Sequence, residues 1–200
     1  MRDDAKSLRQ EQIEQAAYVV LEDKGYAGAS MLSIARKAKA SNETLYRWYG
    51  DKQGLFKALV VRNASEVSAF LTEQTEPGRD AIEILSVLGP KLIDLLTGER
   101  AVALNRAAAA DQTGELGAAI SVAGREAVAP KIGQVLEAAR TQGRLAFEET
   151  PRATELYLNL LIGDLQIRRV IGRLPPLSAE EAQSRAARAL GQLSRLLAPE

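Results

Sequence analysis

Apolar residues recur at helical spacing along most of this chain, and this pattern constrains its fold more than any other feature. Between about Lys6 and Lys24 they fall at three- and four-residue intervals, which places them on one face of an amphipathic helix. Gly and Pro stand between such stretches, Ala and Leu abound, and aromatic residues make up only 4%. The sequence therefore predicts an all-α protein made of helix bundles.

Breaks in this pattern predict two domains. Four helices are expected before Glu76-Pro77-Gly78, which marks the end of the fourth and longest. We place the boundary inside that fourth helix, so that residues 1–54 form one domain and residues 55–200 form another. The second domain is predicted to hold helices near 80–97, 100–111, 115–142, 151–173 and 178–198.

The residues that are missing exclude several kinds of chemistry. The chain has no Cys and no His, which removes disulfides, thiolate nucleophiles, imidazole bases and the usual zinc or iron ligands. The paired acids Glu148-Glu149 and Glu180-Glu181 stand at predicted helix starts, where carboxylates serve as caps. We therefore expect a protein that is not an enzyme, with no catalytic residue, metal or cofactor.

No segment is predicted to enter a membrane. The N-terminus lacks an apolar signal core, and the most apolar helix, Leu156 to Ile171, is interrupted by polar and charged residues. The absence of Cys fits a reducing compartment. A cytoplasmic protein is the expectation.

Positive charge is concentrated near the N-terminus. The whole chain has a formal charge of zero, but residues 1–62 hold eleven Lys or Arg against eight Asp or Glu. Between Arg36 and Lys57 the balance is six against two. This patch is consistent with DNA contact, and a solvated face explains it equally well.

Residues 30–49 have the spacing of a helix-turn-helix. Ser30 and Ser41 are each placed to cap a short helix, with a tight turn between the two helices. Ile34, Ala35 and Ala38 on the first helix are expected to pack against Leu45 on the second. The second helix is then free to present polar side chains to a DNA major groove.

The run S-M-L-S-I-A-R-K-A-K-A-S-N-E-T-L-Y-R-W-Y-G-D-K-Q-G-L-F, Ser30 to Phe56, closely resembles the signature of TetR-type transcriptional regulators. The resemblance is strong over about Ile13 to Leu59. It implies an N-terminal helix-turn-helix domain joined to a C-terminal helical domain for ligand binding and dimerisation. It also implies a DNA-binding regulator, most often a repressor, that binds a palindromic operator as a homodimer and is released by a small-molecule effector. The alternative is an architectural or cell-cycle DNA-binding protein with the same helix-turn-helix domain, here called the reading head.

The resemblance also assigns roles to residues. It implies that Thr44, Tyr46 and Lys52 bind DNA phosphates, whereas base reading is expected from Asn42, Glu43 and Arg47 by their hydrogen-bonding chemistry. Two positions depart from the family pattern: Lys39-Ala40 replaces a common Gly-Val in the turn, and Glu43 replaces a small residue. Trp48 and Tyr49 are predicted to be core anchors. The full predicted DNA-binding set is Ser30, Arg36, Lys37, Ser41, Asn42, Glu43, Thr44, Tyr46, Arg47 and Lys52.

Two further sites are expected in the C-terminal half. The helix at 151–173 is apolar on two sides, so one face can pack in its own domain and the other against a second subunit; a central helix buried in a monomer is the alternative. The predicted dimer interface is Leu156, Leu160, Gly163, Ile167, Ala186, Leu190, Leu193 and Leu197. The resemblance implies an effector pocket here, and its candidate polar residues are Asn105, Arg106, Gln112, Asn159, Asp164 and Gln166. For Asp164, a nearby Arg partner is an equal alternative.

Overall fold

The computed structural model describes residues 2–73 and 78–199, and this part of the chain is all-α. The predicted fold class is thus confirmed. The helices are α1 (Arg2–Gly28), α2 (Met31–Lys37), α3 (Asn42–Tyr49), α4 (Lys52–Glu73), α5 (Ala81–Thr97), α6 (Glu99–Ala110), α7 (Glu115–Ile120), α8 (Glu126–Thr141), α9 (Thr150–Ile162), α10 (Leu165–Val170) and α11 (Ala179–Leu196). A π-helical segment, Ser121–Arg125, joins α7 to α8. No helix among the described residues is both long and apolar enough to cross a membrane.

The chain divides into two compact units that differ from the predicted segments 1–54 and 55–200. The first unit combines residues 1–62 with 103–123, and the second combines 63–102 with 124–200. The division between the units falls between residues 62 and 63, within α4. The assignment of 103–123 to the first unit follows from packing that local sequence patterns do not reveal.

The first unit is built around the helix-turn-helix. Its core joins apolar residues of α1, α2, α3 and α4 to those of α6 and α7, and Ile13, Ile34 and Leu45 are fully buried. Leu104 and Leu116 belong to the same core, with exposures of 3% and 0%. Because Ala35 and Ala38 are small and buried, α2 and α3 can pack closely, as predicted.

The second unit has a core in which α5 packs against α11 and α8 packs against α9. A Cβ added at Gly89 would lie 2.8 Å from the Cβ of Ala186, so α5 and α11 approach each other too closely there for any side chain. The α5 helix continues through Pro90. The buried Tyr157 hydroxyl donates to the Leu85 carbonyl at 3.2 Å, close to this proline.

The predicted helix at 151–173 is interrupted in the structure. Gly163 has a φ of 51°, which ends α9 before α10 begins. Arg185 on α11 donates to the carbonyls of Leu161 and Ile162, at 2.6 and 3.0 Å, and so satisfies the open end of α9. The helical pattern missed this break because a single Gly costs a helix only about 1 kcal/mol.

Candidate nucleic-acid interface

Serine side chains begin both helices of the helix-turn-helix. The Ser30 hydroxyl accepts from the Ser33 amide at 3.1 Å, and the Ser33 hydroxyl accepts from the Ser30 amide at 3.0 Å. The Ser41 hydroxyl accepts from the Thr44 amide at 3.1 Å and lies 2.7 Å from the Thr44 hydroxyl. These caps fix where α2 and α3 start, since each satisfies an amide that the helix leaves open.

The turn between α2 and α3 passes through a left-handed residue. Lys39 has a φ of 50°, the conformation expected where the family often has Gly. The Ala40 amide donates to the Ala35 carbonyl at 2.9 Å. Arg9 on α1 donates to the Lys39 carbonyl at 2.5 Å and to Gln12 Oε1 at 2.8 Å. Arg9, which the sequence analysis did not single out, therefore holds the turn from outside the motif.

The outer face of α3 is polar and open. Glu43, Tyr46 and Arg47 are exposed, and Tyr46 keeps 49% of its surface. Glu43 lies in the first turn of α3, where the helix dipole favours a carboxylate. Asn42 is half-buried, and within the described residues its Oδ1 is buried and has no hydrogen-bond partner. Trp48 and Tyr49 pack partly against the core, in keeping with the anchor role predicted for them.

Lys52 stands at the start of α4 but is already engaged. Its ammonium donates to the Tyr26 carbonyl at 3.0 Å and lies 4.1 Å from the centre of the Tyr26 ring. Burial, together with Asp111, Glu115 and Asp51, raises the pKa of Tyr26. The Asp51 carboxylate accepts from the Gly54 amide at 2.7 Å, so part of the helix terminus is capped by the chain itself. An ammonium has three donors, which leaves Lys52 able to bind a phosphate as well.

A partly buried ion pair ties together three helices of the first unit. Glu14 on α1 is 4% exposed and forms a salt bridge with Arg62 on α4. The Tyr49 hydroxyl at the end of α3 lies 3.5 Å from the same carboxylate. Burial and the Glu14 charge raise the pKa of Tyr49. Local sequence patterns do not reveal this cluster because its members are far apart in the chain, although an acid on the apolar side of an amphipathic helix is a visible signal.

Gly54 allows α4 to begin directly after α3. A Cβ at this position would lie 2.0 Å from the Tyr49 carbonyl oxygen, which is backbone and cannot move aside cheaply. Gly54 was not among the predicted site residues, but a Gly inside a helical pattern commonly has a packing reason.

The predicted effector residues are not gathered in one unit. Asn105, Arg106 and Gln112 belong to the first unit, whereas Asn159, Asp164 and Gln166 belong to the second. Asn159 and Asp164 are exposed, and Asp164 lies 3.8 Å from Arg168 on the next helical turn. Gln166 donates to the Leu96 carbonyl at 3.0 Å. Asp164 thus has the arginine neighbour that was its alternative, and Gln166 has a structural partner.

The predicted dimer residues fall into three groups within the second unit. Ala186, Leu190 and Leu193 are buried in the core of their own chain, which corrects the expectation that they face a partner. Gly163 and Ile167 are exposed, and Ile167 keeps 56% of its surface. Half-buried residues packed against the core make up the rest: Leu156, Leu160 and Leu197. The apolar stripe of α11 is covered by α5 and α9 of the same chain. The sequence pattern therefore predicted which side of α11 is apolar, but not which helices cover it.

The arrangement can bind double-stranded DNA. A short capped helix with an exposed Arg and Tyr can enter a major groove, while cations on α2 and at the start of α4 can contact the bordering phosphates. Arg36 and Lys37 are exposed on α2. The structure places all ten predicted DNA-binding residues in the first unit, on α2, α3, their caps and the start of α4.

Comparison with known families matches both parts of the chain. Residues 13–59 match the bacterial regulatory proteins of the tetR family, and residues 83–193 match the C-terminal domain of the AefR-like transcriptional repressors. The second match alone covers more than half of the chain. A curated relative, the uncharacterized HTH-type transcriptional regulator YvkB of Bacillus subtilis (strain 168), is 41% identical over 61 residues, which are 30% of this chain and 32% of that protein. The chain thus matches about a third of that relative's length.

Solved structures resemble nearly the whole chain. A TetR transcriptional regulator from Agrobacterium tumefaciens is 26% identical, with a TM-score of 0.76 over 96% of this chain and 95% of that chain. FadR from Bacillus subtilis, solved in complex with stearoyl-CoA, has a TM-score of 0.74 over 92% of this chain and 97% of that chain. Its identity of 16% shows a shared fold only.

Proposed function

The chain belongs to the TetR family of bacterial transcriptional regulators, and from this premise we propose that it is a repressor that binds a palindromic operator as a homodimer and is released by a small-molecule effector. The observation that carries the proposal is the outer face of α3. That face is held by the Ser41 cap and the packing of Leu45, and it presents Tyr46 and Arg47 to solvent. A rigid helix with a polar outer face is what major-groove reading requires.

Within this interface we assign two kinds of contact. Asn42, Glu43 and Arg47 are proposed to read bases, since Arg can bind guanine, Asn adenine, and a carboxylate the amino group of cytosine. Phosphate binding is proposed for the other members of the set: Ser30, Arg36, Lys37, Ser41, Thr44, Tyr46 and Lys52. Phosphate contacts fix the register of the protein on the duplex but carry no sequence information themselves.

We propose that the second unit binds the effector and the partner subunit. Its match to the AefR-like C-terminal domain and its fold likeness to FadR, whose structure contains stearoyl-CoA, support a ligand-binding role. The exposed pair Gly163 and Ile167, with the adjoining half-buried Leu160, is the proposed centre of the dimer surface. An effector that changes the spacing of two reading heads would weaken DNA binding, because successive major-groove sites lie about 34–36 Å apart.

The first experiment is selection of genomic fragments with the purified protein at physiological salt. Retention of a few palindromic sites is the expected result, and it would establish a specific dimeric regulator. Broad retention without a shared motif would favour the architectural alternative, and no retention would contradict DNA binding altogether.

Two variants test the assigned roles on a selected site. Arg47→Ala is expected to cost about 1–3 kcal/mol and to relax sequence choice, because it removes a base contact. Lys52→Ala is expected to weaken binding to all sequences and to lower the slope of log affinity against log salt by about one. The measurement is fluorescence anisotropy at several salt concentrations, with thermal unfolding as the control because Lys52 also holds Tyr26. If both variants bind like the parent, the reading head has been assigned to the wrong residues.

A further inference from the structure

An open groove lies beside the helix-turn-helix, between the first half of α1 and the turn that joins α2 to α3. Its volume is about 540 Å³. Its polar lining is Arg9, Glu11, Gln12, Gln15, Lys37 and Lys39. We call it the α1–turn groove. Most of these residues were not part of the predicted DNA-binding set, and the groove brings them to one place on the first unit.

The lining of the groove is suited to an anion. Arg9, Lys37 and Lys39 contribute three cations, and Glu11 contributes the one carboxylate of this lining. Lys37 and Lys39 are exposed, so their ammonium groups can move to meet a ligand. The other polar residues are glutamines, whose amides donate to phosphate oxygens as readily as they accept from other groups.

Arg9 is held in place within this groove. Its guanidinium donates to the Lys39 carbonyl at 2.5 Å through one terminal nitrogen and to Gln12 Oε1 at 2.8 Å through the other. A guanidinium carries five N–H donors, so these two bonds leave donors for a further acceptor. An arginine whose orientation is already fixed loses little side-chain entropy when it binds a phosphate.

The groove also lies within reach of DNA that α3 has entered. Lys39 precedes Asn42 by three residues, and three residues of extended chain span at most about 11 Å. The major groove of B-DNA is about 12 Å wide. Position 39 therefore lies within about one major-groove width of Asn42, the distance that separates base edges from the bordering sugar-phosphate strands.

We infer that the α1–turn groove binds the sugar-phosphate backbone of DNA beside each half-site, with Arg9, Lys37 and Lys39 as its phosphate ligands. The inference rests on the proposed function and adds the first half of α1 to the DNA interface. Arg9 then has two roles: it fixes the left-handed turn before α3, and it contacts the phosphate strand directly.

The test is the salt dependence of binding to a fluorescent, mixed-sequence DNA duplex. Affinity is measured by anisotropy between about 50 and 200 mM salt, because each phosphate contact contributes about 0.9 to the slope of log affinity against log salt. Arg9→Gln and Lys39→Gln are each expected to lower that slope by about one for every chain bound. Lys24→Gln is the matched control, since it removes the same charge from an exposed position at the other end of α1.

Slopes for Arg9→Gln and Lys39→Gln equal to that of Lys24→Gln would overturn the inference. A loosened turn would weaken binding but leave the slope unchanged, and that outcome would also count against direct contact. Lys39→Gln keeps the carbonyl that Arg9 holds, so it remains informative if Arg9→Gln unfolds. Lys52→Ala in the same assay separates the proposed DNA binding by the helix-turn-helix from phosphate binding by the groove. If Lys52→Ala lowers the salt slope but Arg9→Gln and Lys39→Gln do not, only the groove proposal is rejected. A parent protein that does not bind the duplex rejects both.

Discussion

Single residues in the first unit hold the reading helix through contacts with backbone. The Arg9 guanidinium binds the Lys39 carbonyl, the Lys52 ammonium binds the Tyr26 carbonyl, and Gly54 leaves room for the Tyr49 carbonyl. A backbone carbonyl is present at these positions whichever side chain the residue carries. The orientation of α3 is therefore fixed by geometry that side-chain patterns do not encode.

Gly54→Ala is expected to destabilise the first unit. The added methyl would lie 2.0 Å from the Tyr49 carbonyl oxygen, so α3 and α4 would have to separate. Overpacking of this kind costs about 1–3 kcal/mol in the free energy of unfolding, measured by urea denaturation followed by circular dichroism. Gly117→Ala on α7 is the matched control, because nothing lies within 4 Å of its added Cβ. That control is expected to gain about 0.4–1 kcal/mol. Equal stabilities of the two variants would contradict the close approach.

The sequence predicted residues whose contacts lie three or four positions away. It did not predict residues whose contacts are with distant parts of the chain. Ser30 and Ser41 were identifiable as caps, and Leu45 as a core residue, because each role depends on neighbours three or four positions away. Glu14 and Arg62 pair across 48 positions, and no periodicity reports such a contact. The tight turn between the two helices was expected, but the arginine that holds it at Lys39 was not.

At the scale of helices, the apolar pattern located most elements but not their partners. The stripe on α11 was predicted correctly as apolar, yet Ala186 and Leu193 face α5 and α9 of the same chain. The break at Gly163 was missed because the residues on both sides continue the helical pattern. Which face a neighbour covers depends on tertiary packing, and a stripe alone leaves that open.

Tyr157 gives the packing of α5 on α9 a measurable dependence on pH. Burial raises the pKa of Tyr157 above its ordinary value of about 10, so the folded protein keeps the phenol protonated where the unfolded chain ionises. The stabilising contribution is complete below about pH 10 and is lost as pH rises toward the folded-state pKa. Tyr157→Phe is therefore expected to lose stability less steeply than the parent above pH 10, by up to about 1.4 kcal/mol per pH unit.

The measurement is urea denaturation at a series of pH values from neutral to alkaline. At neutral pH the variant is expected to be less stable by about 1 kcal/mol, because the hydrogen bond to the Leu85 carbonyl is gone. Parallel stability profiles for parent and variant would show that Tyr157 ionises equally in both states and would contradict its burial.

At the scale of the whole molecule, the proposed function depends on the pairing of two chains. Ile167→Glu is expected to shift the protein from dimer to monomer, since a carboxylate in an apolar interface loses its hydration without gaining a partner. Val87→Glu is the matched control: Val87 is 50% exposed on α5 in the same unit and lies outside the proposed interface.

Sedimentation equilibrium over a range of protein concentrations measures the outcome. A monomeric Ile167→Glu beside a dimeric Val87→Glu supports the proposed surface, and its affinity for a palindromic site is expected to fall as well. An Ile167→Glu variant that dimerises as the parent does would move the interface elsewhere.

The division of the chain limits how its reading head can be exchanged. Residues 103–123 contribute Leu104 and Leu116 to the core that supports the helix-turn-helix. A chimera that takes only the first 62 residues from one regulator would pack them against the residues that a second regulator has at positions 104 and 116. Apolar surfaces that evolved together would then meet without matching shapes, and mismatched cores cost stability. We therefore expect that exchanging residues 1–62 as a block will transfer DNA specificity poorly. Replacing only the outer residues of α3 is expected to transfer it well.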